Sequence, residues 1–250
     1  MSVDQGLIDG PIREFILALA DDEHLMGQQH TEWIGVAPFL EEDLAFSSIA
    51  QDELGHAAML YELLDGENGI DALAFGRDVG DYRSCWLVEY ATTDWAEALV
   101  RHWLYDIAEE LRWNLLLTSS IEGLSEIAQR ALAEERFHRM HADGLLDALL
   151  EVDDARSRIR AALDSMLPLA LTMFETLASE KAAAAAGAAL STLAEQQQVW
   201  QAAVDQRFDD VEWSAISATP ESTRAARSDD FAPLMSRMRE VIDLDPLAIW

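Results

Sequence analysis

Between residues 11 and 206 the apolar residues of this chain recur at three- and four-residue intervals, in one long run after another. Nowhere do they alternate at every second position for more than a few residues. Three-and-four spacing lines up apolar side chains on one stripe of an α-helix, whereas alternation would build a half-buried strand. The chain is therefore confined to helix-on-helix packing. Residues 11–34 carry Ile12, Phe15, Ile16, Leu19, Leu25 and Met26 and are punctuated by Gly35 and Pro38. Residues 39–64 carry Leu40, Leu44, Ile49, Leu54, Met59 and Leu63 and stop at the breaker sequence DGENG. Further helices are expected over 94–120, 122–150, 155–185 and 188–206, with AAAAAG at 182–187 read as helix former ended by glycine.

The first two helices have a short link, and so do 94–120 and 122–150, so each pair is expected to run antiparallel. The segment 65–90, built around Gly66, Gly69, Gly76 and Gly80, is long enough to cross the bundle. Two helical hairpins joined by one crossover are the ferritin-like arrangement. The expected fold is all-α: a ferritin-like four-helix bundle over residues 1–206 with additional C-terminal helices. The more polar extension, 207–250, is expected to pack on that domain and to hold a short helix near 231–242.

Composition narrows the function. Half of the 250 residues are apolar, enough for a full core. No apolar run reaches the ~18 residues of a membrane span, and the N-terminus lacks a basic stretch followed by an apolar one. Cys85 is the single cysteine, so neither a disulfide framework nor a cysteine zinc site is expected. These features predict a cytoplasmic protein. There are 47 acidic residues against 17 basic ones, Lys181 being the one lysine, for a net charge of −30. That charge disfavours nucleic acid and anionic membranes as partners. It suits a salt-rich, halophilic cytosol in which the self-repulsion is screened.

Within the second run lies AQDELGHAAM, with Glu53 and His56 three residues apart, and the spacing recurs at Glu135 and His138 in the fourth. Residues three apart share a helix face, so each pair can offer one oxygen and one nitrogen to the same metal ion. Carboxylate-bridged di-iron bundles use this plan, with one further carboxylate from each of the other two helices. The first helix offers Glu23 and Glu32 for that role, and the third offers Asp106, Glu109 and Glu110. Four carboxylates and two neutral imidazoles carry a charge of −4, which two ferrous ions would balance; without metal such a buried set resists desolvation. Oxygen and imidazole donors without thiolate suit iron, with manganese as the alternative.

The stretches HTEWIGVAP, AQDELGHAAMLYEL, WLYDIAEE and AEERFHRMHADGLL resemble the phenylacetic acid catabolic protein family, the ferritin-like A and C subunits of the multicomponent phenylacetyl-CoA epoxidase. The resemblance runs from residue 12 to about 150 and more weakly beyond. It implies metal ligands at Glu32, Glu53, His56, Asp106, Glu135 and His138. EWIGVAP, the 73–78 segment, the length and the terminal Trp250 look like the C-type chain, whereas QDELGH and the filled ligand positions look like the catalytic A-type chain. Helix geometry pulls the other way at one position, since Glu23 lies about as far from the turn near residue 36 as residue 50 does. Bringing Glu32 level requires an extended link over 35–40, which can reach about 20 Å.

The implied activity is O₂-dependent epoxidation of phenylacetyl-CoA at a two-iron centre. Its implied partners are a paralogous ferritin-like subunit in an oligomer, a reductase, the acyl-CoA and O₂. The alternatives are a structural C-type subunit and another ferritin-like iron oxidase or storage protein. His24, His30, His102 and His141 are read as surface or packing residues, Glu109 and Glu110 as a solvated or supporting face, Asp52 as a possible support to the ligands, and Trp33, Trp103 and Trp113 as core.

Overall fold

The computed structural model describes Ile8 and residues 10–175, Leu177, and residues 179–188, 191–216 and 224–245. Among these residues there is no strand, and the architecture is the all-α, ferritin-like bundle. Four long helices form its frame: α1 (Gly10–Thr31), α2 (Leu40–Asp65), α5 (Trp95–Leu116) and α6 (Leu124–Leu150). Between the hairpins the crossover holds two short helices, α3 (Ile70–Phe75) and α4 (Trp86–Glu89). Beyond them come α7 (Asp153–Ala170), α8 (Glu180–Ala185), α9 (Leu193–Asp205), α10 (Phe231–Met238) and α11 (Glu240–Leu244).

Helix α1 packs along α2, α5 along α6, and α2 meets α6 across the bundle, while α7 and α9 cover α5. The α1–α2 approach is close at Gly27, where a Cβ would stand 2.9 Å from Leu54 Cγ and 3.1 Å from Glu53 Cβ. Any side chain there would push α2 away at the height of Glu53. At the far end of α2, Gly66 takes φ +72° and lets its N–H close on Glu62. Helix α5 starts where the Asp94 carboxylate accepts the Glu97 N–H at 3.0 Å.

Two apolar cores result, and they share α1. Phe15, Ile16, Leu19 and Ala20 join Leu60, Tyr61, Trp113 and Leu124 in one, whereas Leu25 and Met26 join the larger core of α5, α7 and α9. Between them α1 buries four polar residues in a row, Asp21, Asp22, Glu23 and His24. Two of these anchor the crossover. Asp21 accepts the Tyr61 hydroxyl (2.7 Å) and the Arg83 N–H (2.6 Å) and pairs with Arg77; Asp22 accepts the Cys85 N–H (2.8 Å).

The run expected as one helix over 155–185 is divided. Helix α7 stops at Ala170, two residues after Pro168, which has no N–H to donate; a tighter turn over Leu171–Phe174 follows before α8. The short C-terminal helix appears as two pieces, α10 and α11. Phe208, Phe231, Leu234 and Met235 are buried in the larger core. Residues 217–223 and 246–250, with Trp250, lie outside the described residues. No helix among the described residues is long and apolar enough to cross a membrane.

Candidate metal centre

The polar layer between the cores collects acids and imidazoles from all four frame helices. Glu23 comes from α1, Glu53 and His56 from α2, Asp106 and Glu109 from α5, and Glu135 and His138 from α6. Every one is buried, at 0–1% exposure. The spacing of three residues within each pair puts both members on the inward face.

The two imidazoles turn Nδ1 inward. His56 Nδ1 lies 3.1 Å from Glu23 Oε2 and 3.9 Å from both Glu53 Oε2 and Glu135 Oε1. His138 Nδ1 lies 3.3 Å from Glu135 Oε1 and 3.9 Å from Glu53 Oε1. Glu53 therefore presents one oxygen to each imidazole, and Glu135 faces both. Two sets of donor atoms lie within 4.8 Å of one another, Glu23–Glu53–His56 and Glu53–Glu135–His138, and Glu53 belongs to both.

The outward nitrogens are held by acids. His56 Nε2 lies 2.8 Å from Glu134 Oε2, and His138 Nε2 lies 3.2 Å from Asp52 Oδ2. A carboxylate accepts only, so each Nε2 carries a proton, and with a cation in the layer each Nδ1 would be left to offer its lone pair inward. Asp52 thus supports His138, in line with the sequence reading. Glu134 escaped that reading, although it stands before Glu135 as Asp52 stands before Glu53.

The electrostatics are those of a cation site. Burial first, and then the Glu109 carboxylate, holds Glu23 and Glu53 well above the ordinary carboxylate range. The same two causes raise Glu135 to about 8, and burial raises Asp106 to about 8 against the pull of His138 and Arg139. Burial opposes charge on His138, but Asp52 and Glu135 override it and push that imidazole up to about 12. Both oxygens of Glu53, Asp106, Glu109 and Glu135 are buried without a hydrogen-bond donor among the described residues, as is Glu23 Oε1. Buried carboxylate oxygens of this kind need a partner. Divalent cations supply one, and the donor set of carboxylate and imidazole fits iron or manganese.

Asp106 is buried in the same layer but belongs to neither donor set, so of the residues implied by resemblance the structure brings together Glu53, His56, Glu135 and His138. It does not bring Glu32. That side chain is exposed just past the end of α1 and accepts Arg237 Nε at 3.1 Å. The physical reason lies in the link. Residues 33–37 coil back through turn hydrogen bonds to His30, Thr31 and Trp33 instead of extending along the axis. The hairpin then sets Glu23 level with Glu53, as the distance from the turn required. Glu109, read as a solvated or supporting face, is buried, and its carboxylate neighbours Glu23, Glu53 and Glu135; Glu110 is half-buried beside Arg139. The imidazoles of His30 and His102 are buried too, and His102 Nδ1 lies 3.0 Å from Asp106.

A family model described as phenylacetic acid catabolic protein matches residues 9–250. The chain is also 29% identical over 165 residues to the C-type chain of the 1,2-phenylacetyl-CoA epoxidase of Escherichia coli (strain K12). That alignment covers 64% of this chain and 66% of the relative, just under two thirds of its length. A match over nearly the whole sequence, on a bundle with this buried layer, shows that the chain belongs to the phenylacetic acid catabolic protein family.

Proposed function

We propose that the buried layer is a two-metal oxygenase centre. Glu23, Glu53, His56, Asp106, Glu135 and His138 would hold two iron ions, with manganese the alternative. The observation that carries this reading is the sharing of Glu53 between two donor sets. A reduced iron pair supplies electrons to activate O₂, so that one oxygen atom enters the substrate and the other leaves as water.

The chain's own residues do the rest. Glu134 and Asp52 hold protons on the two Nε2 atoms and so fix which nitrogen faces inward. Trp113, edge-on to His56 with ring centroids 5.6 Å apart, and the flanking apolar cores keep water from the layer. The carboxyl groups must give up protons when a cation enters, so binding strengthens as pH rises.

Family membership and the named relative support the substrate proposed, an aromatic acyl-CoA, phenylacetyl-CoA, converted to its 1,2-epoxide. The partners in this reading are a paralogous ferritin-like subunit and a reductase delivering electrons. Metal analysis of the purified chain, beside a Glu135→Ala variant, tests the centre. About two irons per chain are expected, with loss in the variant. Epoxide formation in the reconstituted complex, abolished by His56→Ala in this chain, tests the activity.

A second reading is a scaffold role, favoured by the relative being the C-type chain of its complex. It predicts a chain that supports epoxidation through its partner while binding no metal, or one whose Glu135→Ala variant leaves turnover unchanged.

A further inference from the structure

Each imidazole of the two donor sets touches an aromatic ring outside them. The ring at His56 is Trp113, which is buried and whose N–H has no acceptor among the described residues. The ring at His138 is His102, with centroids 6.5 Å apart, and there the contacts continue. His102 meets Phe46 at 5.4 Å, Phe46 meets Trp95 at 4.8 Å, and Trp95 meets Trp33 at 5.4 Å. All four separations are those of aromatic rings in contact. The run leads from the layer to the end of the bundle where α1 stops and α2 and α5 begin.

Its two ends differ. Phe46 and His102 are fully buried, whereas Trp95 and Trp33 are partly exposed, Trp33 against its expected place in the core. Trp33 donates its N–H to the Thr92 hydroxyl at 3.0 Å and lines a cleft of about 230 Å³ with Thr92, Glu32 and Arg237. Aliphatic side chains would fill this end of the bundle equally well. Rings in contact add something that aliphatic packing lacks, a continuous path of π orbitals. Of the ring types in this run, indole gives up an electron most readily. Trp95 and Trp33 can therefore hold an oxidising equivalent in turn, and Phe46 and His102 are the medium between them and His138.

We propose that Trp95 and Trp33 are redox-active and lead oxidising equivalents from the layer to the surface when O₂ is reduced with no substrate in reach. The inference rests on the oxygenase reading. In productive turnover one oxygen atom enters the substrate. Without substrate that atom also leaves as water, which takes two more electrons and two more protons. Trp95 gives up these electrons one at a time through Phe46 and His102. Trp33 refills Trp95, and a small thiol in the cleft refills Trp33. Two thiols thus supply both electrons, become one disulfide, and release two protons that balance the two consumed. Trp113, although it touches His56, has no such exit.

The test reduces the metal-loaded full chain chemically, frees it of reductant, and exposes it to O₂ without acyl-CoA, with and without 2-mercaptoethanol. O₂ uptake is recorded, and peptide mass spectrometry locates oxidised tryptophan. Without thiol, oxidation is expected at Trp33 and Trp95; with thiol, it should be suppressed at both. Trp95→Phe should abolish oxidation at Trp33. Trp33→Phe should leave Trp95 oxidised and remove its protection by thiol. A parent that takes up no O₂ would sink the oxygenase reading and this inference with it. O₂ uptake with oxidation at neither residue, at Trp113 in their place, or at Trp33 undiminished in Trp95→Phe would overturn the route alone. Should Trp95→Phe fail to fold, Trp33→Phe decides, and thiol protection of Trp95 that persists in it would overturn the route.

Discussion

Glu134 on α6 lies 2.8 Å from Nε2 of His56 on α2, and the relation is returned across the bundle by Asp52 on α2 and His138 on α6. Each acid stands immediately before a glutamate of the central pair and serves the histidine of the opposite helix. The two helices thereby orient each other's donors. Removing the acceptor frees the imidazole to turn and lowers its basicity. Glu134→Ala is expected to weaken metal binding about 10- to 100-fold. Glu134→Gln, which keeps an acceptor oxygen, should lose less. Chelator competition measures both, and equal affinity in all three proteins would show that this contact does not orient His56.

Two acids of α5 reach the buried layer, and they are expected to play different parts. Asp106 lies 3.0 Å from His102 Nδ1 and feels His138 from farther off, whereas Glu109 acts on Glu23, Glu53 and Glu135. If Asp106 is the α5 ligand, Asp106→Asn drops the metal content from about two ions to about one, and Glu109→Gln leaves it at about two. The reverse pattern would make Glu109 the ligand. Without metal, Glu109→Gln should unfold at higher temperature than the parent, because it removes the carboxylate that most strengthens repulsion at Glu23, Glu53 and Glu135. Calorimetry on the chelated proteins measures that difference.

How much of this was legible in the sequence varies residue by residue. Helix periodicity located the four frame helices, and the repeated Glu-x-x-His spacing located the two pairs, because both signals are local and fixed by 3.6 residues per turn. Glu23 against Glu32 was not local. It depended on whether residues 32–39 coil or extend, and that is settled by turn hydrogen bonds and by the close approach at Gly27. Glu109 was one of three acids the third helix offered, and its spacing of three from Asp106 puts both on one face without saying which reaches the layer. The break in 155–185 was marked by Pro168 and hidden by the strong helix formers after it. The pairing of Asp22 with Arg224 spans 202 residues, and no spacing rule reaches so far.

Among the described residues Arg101 forms no ion pair. It is fully buried on α5, and its one hydrogen bond among the described residues runs from Nη1 to the Tyr90 carbonyl at 2.6 Å; Nε and Nη2 have no partner. Burial pushes the guanidinium down to about 9, with partial relief from Glu97. An uncompensated buried cation costs stability that an apolar chain of similar length does not. Arg101→Met is expected to stabilise the protein by about 1–3 kcal/mol. The urea midpoint should rise at unchanged slope. A fall in the midpoint would mean that the stem of Arg101 packs better than its charge costs.

Glu175 gives the fold a pH dependence separate from the metal layer. Its ordinary value is 4.5, and burial raises it to about 8 although Arg224 and Arg227 pull it down. A carboxyl raised by folding binds its proton more tightly in the native state. Its contribution is fully present below about pH 4.5 and is lost as pH climbs through about 8. Above that, the half-buried group is ionised at a cost. Glu175→Gln keeps the shape and removes the titration. Relative to the parent, the variant should lose less stability between about pH 5 and pH 9. After allowance for solvent screening the difference at the alkaline end is on the order of 1 kcal/mol. Denaturation of both metal-loaded proteins across that range measures it, with the metal holding the layer's own carboxyl groups deprotonated. Parallel pH profiles for parent and variant would show that the two arginines already hold Glu175 ionised.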